Sequence, residues 1–196
     1  MPRAALLVVD VQNDFCPGGA LPVPGGDSVI PGLNMATSAF VRAGLPVFFT
    51  RDWHPPNHCS FKAQGGTWPP HCVQGTTGAA FHPSLDLPPG STVISKGDRK
   101  DAEAYSGFQG TDLAARLRRI GVTSVYVGGL TAEYCVRTTT EDALREGLRV
   151  AVLSDCIKGL EIHPGDTSAA IEEMKRAGAS LTTSRAVIKV IVGTQQ

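Results

Sequence analysis

A cysteine, a carboxylate and a lysine each sit where an apolar run of this sequence ends. Cys135 stands between the run Ser124–Leu130 and the amphipathic pattern Val136–Gly147, at the start of an expected helix. A helix start offers free N–H groups and the positive end of the helix dipole, which favour thiolate over thiol. Asp10 closes the run Ala4–Val9, and Lys96 follows Val93-Ile94-Ser95. A carboxylate raised in pKa by burial can take a thiol's proton, and a lysine between the two balances their charges. No histidine lies at the end of the first, third or fourth run, so the set reads Cys–Asp–Lys rather than Cys–His. Each residue also has a plain structural reading. Free cysteines are commonly small buried hydrophobes, a strand-end Asp commonly caps a turn, and a lone lysine commonly sits on the surface.

A second cluster is Asp52-x-His54 with His71, which arrives in Trp68-Pro69-Pro70-His71. Residues two apart on an extended chain point the same way. One carboxylate oxygen and two imidazoles form an open N/O site suited to Zn²⁺, Mn²⁺ or Fe²⁺. Histidines satisfied by backbone hydrogen bonds would give the same spacing. His58 and His82 are weaker candidates in the same stretch.

These residues need a scaffold that brings them together, and the patterning supplies one. The runs Ala4–Val11, Pro46–Thr50, Thr92–Ser95, Ser124–Leu130, Arg149–Leu153 and Ala186–Val192 are apolar without strict alternation, as expected of strands buried on both faces. Helical patterns closing on Gly44, Gly121, Gly147 and Gly178 lie between them. The alternation predicts an α/β fold, an open, mostly parallel six-stranded sheet with helices on both faces, in one domain over residues 1–196. Ligands of such sheets bind outside the carboxyl ends of the strands, where Asp10, Asp52, His54, Lys96 and Cys135 all fall. The segment 53–91 breaks the rhythm: it is rich in proline and holds four of the five histidines. A long irregular segment inside a domain is commonly a functional loop.

Composition narrows the function further. Eighteen basic against eighteen acidic residues give zero formal charge, which argues against a nucleic-acid surface. No apolar run approaches the roughly 20 residues that span a bilayer. Five cysteines, an odd number without C-x-x-C pairing, fit a reducing cytoplasm. The expected partner is a small molecule, with homo-oligomerisation left open.

The segments that carry this chemistry resemble the nicotinamidase/pyrazinamidase group of the isochorismatase-like cysteine hydrolases. The resemblance covers nearly the whole chain. It lies in Val9–Phe15, Arg51–His58, Trp68–Cys72, Lys96-Gly97 and Glu133-Tyr134-Cys135-Val136. It implies Asp10, Lys96 and Cys135 as a catalytic triad, and Asp52, His54 and His71 as ligands of one divalent ion, Zn²⁺ before Mn²⁺ or Fe²⁺. It implies Phe15, Trp68 and Tyr105 as walls around a pyridine ring whose nitrogen the ion anchors. Backbone N–H groups of Thr131 and Cys135 would form the oxyanion hole beside a cis Leu130–Thr131 peptide. The family commonly reads Ala-Thr where this chain has Thr131-Ala132. The implied reaction is hydrolysis of nicotinamide to nicotinate and ammonia through a cysteine thioester, in NAD salvage, with pyrazinamide as a second substrate. The alternatives are a related hydrolase acting on another small amide or an enol ether, and a catalytically silent binding module.

Overall fold

Runs that are apolar on both sides become interior strands of one sheet. In the computed structural model, which describes residues 3–193, these are β1 (Arg3–Val9), β2 (Val47–Asp52), β3 (Thr92–Lys96), β4 (Val122–Leu130), β5 (Arg149–Lys158) and β6 (Ser180–Thr182). Their spatial order is β3-β2-β1-β4-β5-β6, and every pairing is parallel. The helices are α1 (Ile30–Arg42), α2 (Leu113–Arg119), α3 (Arg137–Arg145), α4 (Asp166–Ala177) and α5 (Ser184–Gly193). Residues 1–2 and 194–196 of the expected unit lie outside the described residues.

Alternation along β1 splits the core into two layers. Leu6 and Val8 face a cluster with Leu33 and Phe40 of α1 and Val187 and Ile191 of α5. Ala5, Leu7 and Val9 face the other, with Leu117 of α2, Ala143 of α3 and Met174 of α4. Both faces of the sheet are therefore covered, as a parallel sheet requires.

One expected strand is a helix. The stretch 186–192 is rich in β-branched residues, yet it lies within α5, and the sixth strand is the shorter β6 before it. Thr183 supplies the helix start: its Oγ1 accepts the Ala186 N–H at 3.2 Å, and its carbonyl accepts that of Val187 at 3.0 Å. Asp155 adds a carboxylate that accepts from the Ser184 N–H at 2.8 Å and hydroxyl at 2.6 Å. Val187 and Ile191, four apart, are buried, while Val190 and Val192 are exposed. Helical spacing of the buried pair prevails over composition.

The chain runs outward from β1 to β2 and β3, then crosses back to build β4, β5 and β6 on the other side. The order reverses between β1 and β4, which is where such sheets bind ligands. Segment 53–91 folds over that same edge. Gln12 pins it: its amide donates to the Asp52 carbonyl at 2.8 Å and the Ala79 carbonyl at 2.9 Å, and accepts the Asp52 N–H at 2.7 Å. Among the described residues, no helix is long and apolar enough to cross a membrane.

Candidate active site

The two strands flanking the reversal deliver Asp10 and Cys135. Val9 is in register with Thr50 of β2 and Gly129 of β4. Gly129 has φ 130°, and a Cβ there would lie 2.0 Å from the Val9 carbonyl oxygen, so only glycine lets the strands close. Asp10 follows with φ 48° and is fully buried; the Thr50 hydroxyl donates to its Oδ1 at 2.6 Å. After β4 the Leu130–Thr131 peptide is cis, and a π-helical turn, Ala132–Val136, carries Cys135 into α3. The N–H groups of Tyr134 and Val136 both donate to the Thr131 carbonyl, at 3.2 and 3.0 Å.

Lys96 joins the two. It lies opposite Asp52 in the β2–β3 register. Its buried Nζ lies 2.8 Å from Asp10 Oδ2, 2.5 Å from Asp52 Oδ1, 3.5 Å from Cys135 Sγ and 3.3 Å from the Ala104 carbonyl. Burial works against the ammonium, but Asp10 and Asp52 outweigh it and hold its pKa well above the usual lysine value. Burial raises the Asp10 carboxyl against the pull of Lys96. It pushes the Cys135 thiol well up, and Lys96 offsets only part of this. The expected thiolate preference at a helix start therefore does not prevail: desolvation keeps the proton on sulfur. The site pairs a protonated thiol with a carboxyl of raised pKa, with oxygens of Asp10 and Asp52 and the thiol sulfur within 4.8 Å of one another. Such a pair can pass a proton between its members.

Asp52, His54 and His71 come together as well. They are buried, and one ligand atom from each lies within 4.8 Å of the others. His54 Nδ1 lies 2.9 Å from the Gly97 carbonyl, and His71 Nδ1 lies 2.8 Å from that of Pro69. A carbonyl only accepts, so both Nδ1 atoms carry hydrogen and both Nε2 lone pairs are left for a ligand. Despite its burial Asp52 has a pKa below the usual carboxylate range, because Lys96 and His54 stabilise its charge. An anionic oxygen with two imidazole nitrogens fits a divalent ion. His58 does not join them. Its Nε2 donates to the Ala102 carbonyl at 3.1 Å and its Nδ1 meets the Ser60 hydroxyl at 2.7 Å, while its ring stacks on His54 with centroids 4.1 Å apart. His82 lies apart, half-buried, its Nδ1 accepting the Ser84 N–H.

Residues of both clusters line one small cavity. Phe15, Trp68 and Tyr105 line it, as do Asp52, His71, Thr131 and Cys135. The Trp68 indole N–H donates to the Tyr105 hydroxyl at 2.9 Å, and burial pushes that phenol up to about 12. Leu21, Tyr134 and Leu160 complete the walls without having been expected. Tyr134 stands edge-on to Trp68 with centroids 5.1 Å apart; its place beside Cys135 was the available signal. Leu21 and Leu160 had none, since apolar loop residues carry no pattern. A wider, open depression lies at the opposite end of the sheet beside Arg3 and Arg149, away from all these groups.

Comparison with known proteins agrees with this geometry. The isochorismatase domain model matches residues 4–186. The nicotinamidase/pyrazinamidase of Mycobacterium tuberculosis is 44% identical, covering 92% of this chain and 98% of its own length. The pyrazinamidase of Pyrococcus horikoshii in complex with zinc superposes with a TM-score of 0.89 at 52% identity, over 93% of this chain and 99% of that one. PnC1 from L. infantum in complex with nicotinate superposes with a TM-score of 0.87 at 39% identity, over 94% of each chain. Similarity of this extent, over nearly the full length, fixes the lineage: the chain belongs to the isochorismatase family, in the group that holds the nicotinamidases and pyrazinamidases.

Proposed function

We propose that the chain hydrolyses nicotinamide to nicotinate and ammonia, and pyrazinamide to pyrazinoate, in NAD salvage. The observation that carries this reading is the buried Lys96 ammonium, 2.8 Å from Asp10 and 3.5 Å from the Sγ of Cys135, a residue that lines an aromatic cavity. Asp10 takes the thiol proton as sulfur adds to the amide carbon, and the backbone N–H groups of Thr131 and Cys135 hold the oxyanion. The C–N bond breaks as Asp10 returns the proton to the leaving nitrogen, so ammonia departs and a thioester remains. Asp10 then accepts a proton from water as the water oxygen attacks the thioester carbon. Nicotinate leaves, and the proton returns to Cys135. Lys96 holds both Asp10 and the developing thiolate in place without exchanging protons itself. Phe15, Trp68 and Tyr105 clamp the ring.

Asp52, His54 and His71 would hold one divalent ion, for which zinc is our choice before Mn²⁺ or Fe²⁺. It is supported by the donor set and by the zinc complex of the P. horikoshii pyrazinamidase. When bound, the ion supplies a Lewis-acid contact for the ring nitrogen. We read residues 1–196 as one hydrolase domain working in the cytoplasm on a small-molecule substrate, with no role for nucleic acid or membrane. Ammonia release over nicotinamide, pyrazinamide and non-pyridine amides tests the reading. Nicotinamide and pyrazinamide should be cleaved and the others poorly. Equal or better turnover of an aliphatic amide would contradict it, as would no turnover at all.

A further inference from the structure

Thr131 stands at the N-terminal cap of the turn that carries Cys135. A threonine there ordinarily accepts a hydrogen bond from an N–H two or three residues on. This one makes no such bond. Its hydroxyl is buried and has no hydrogen-bond partner, although the residue is only 2% exposed. Among the described residues, the buried hydroxyls of Thr37 and Thr140 also lack partners. Both lie inside helices, α1 and α3, where a small rotation reaches the carbonyl of the preceding turn. Thr131 has extended backbone, φ −98° and ψ 145°, and no preceding turn to use. It lines the cavity together with Cys135. A buried hydroxyl without a partner costs free energy unless something supplies one.

We infer that the Thr131 hydroxyl is a side-chain donor to the substrate's carboxamide oxygen, acting beside the backbone N–H groups. The inference rests on the hydrolysis proposed above. The hydroxyl's hydrogen bond should strengthen as sulfur adds to the carbonyl carbon and charge collects on that oxygen. Its residue type at this position would then set how well the tetrahedral species is bound, leaving the binding of the ring alone.

Two variants and two ligands test this. Thr131→Val keeps the branched shape without the hydroxyl, and Thr131→Ser keeps the hydroxyl without the methyl. Pyridine-3-carbaldehyde is the probe of the tetrahedral state: the Cys135 sulfur adds to the aldehyde carbon and the thiol proton passes to the oxygen, giving a hemithioacetal. Nicotinate is the probe of ring binding. Thr131→Val should lose about 10- to 100-fold in kcat/KM for nicotinamide and a similar factor in aldehyde affinity, with nicotinate affinity unchanged. Thr131→Ser should stay near the parent on all three. Unchanged aldehyde affinity in Thr131→Val overturns the inference, and so does an equal loss for nicotinate, which would mark a packing role. If the parent itself fails to cleave nicotinamide, the proposed function falls. The aldehyde comparison still decides the hydroxyl on its own.

Discussion

Lys96 carries the electrostatics of both clusters, because its one ammonium sits between Asp10 and Asp52 with no solvent to share the charge. Removing it leaves two buried carboxylates without a counter-ion. Lys96→Met should cost about 3–5 kcal/mol of stability, measured by urea unfolding, and should abolish turnover. A variant as stable as the parent would mean that the pair is not the buried ion cluster described. Asp10→Asn keeps shape and loses basicity, so kcat/KM should fall by about 10²–10⁴; a loss of only a few-fold would make Asp10 a structural cap. The raised pKa of Asp10 adds a sign. The carboxylate must be deprotonated to accept the thiol proton, so the acid limb of kcat/KM against pH should lie above the ordinary carboxyl value of 3.8. A limb at or below 3.8 would contradict that. Asp10, Lys96 and Cys135 were legible in the sequence because each ends an apolar run. The bond from Lys96 to Asp52 was not, because it depends on the β2–β3 register, which no local pattern encodes.

The elements hold these residues through a few close approaches. Gly97, at φ 63°, follows Lys96 where a Cβ would lie 2.5 Å from the His54 ring. Gly97→Ala should turn that imidazole away and lower the bound metal per chain, read by elemental analysis, before it affects the fold. Unchanged metal content would show that His54 is not a ligand. At the other end of the chain, Thr183→Ala removes the cap of α5 and should cost about 0.5–2 kcal/mol in urea unfolding. That helix was the part of the fold that composition hid. Residues 186–192 carry five β-branched side chains and look like a strand, and only the Thr183 cap with the four-residue spacing of Val187 and Ile191 says otherwise. Strands buried on both faces were read from short apolar runs bounded by turn residues, and because periodicity alone does not tell such a run from a buried helix segment, 186–192 was the place where that reading failed.

Across the whole molecule, the reversal of strand order between β1 and β4 and the segment 53–91 meet at one edge, where Cys135, Asp52 and His71 line a single cavity. The sequence told that these residues share an edge. It did not tell which apolar loop residues close the cavity, because Leu21 and Leu160 arrive from distant turns. The arrangement predicts a division of labour between the two clusters. Benzamide, which lacks the ring nitrogen, should be a far poorer substrate than nicotinamide, by a factor of about 10⁴ or more if a buried polar partner is left unpaired. His71→Ala should then lower the nicotinamide rate strongly and the benzamide rate much less. Parallel losses on both would contradict the anchoring role.

The central claim is that the Cys135 sulfur makes the covalent bond to the substrate, with everything else arranged around it. Ammonia release from nicotinamide by Cys135→Ala tests this most directly, on protein shown by circular dichroism and metal content to match the parent. The small side chain fits where the thiol sat, so the fold and the Asp52–His54–His71 trio should persist while ammonia stays at the background rate. Ammonia release approaching that of the parent would contradict the account, because no other group at this edge could then be excused from being the nucleophile.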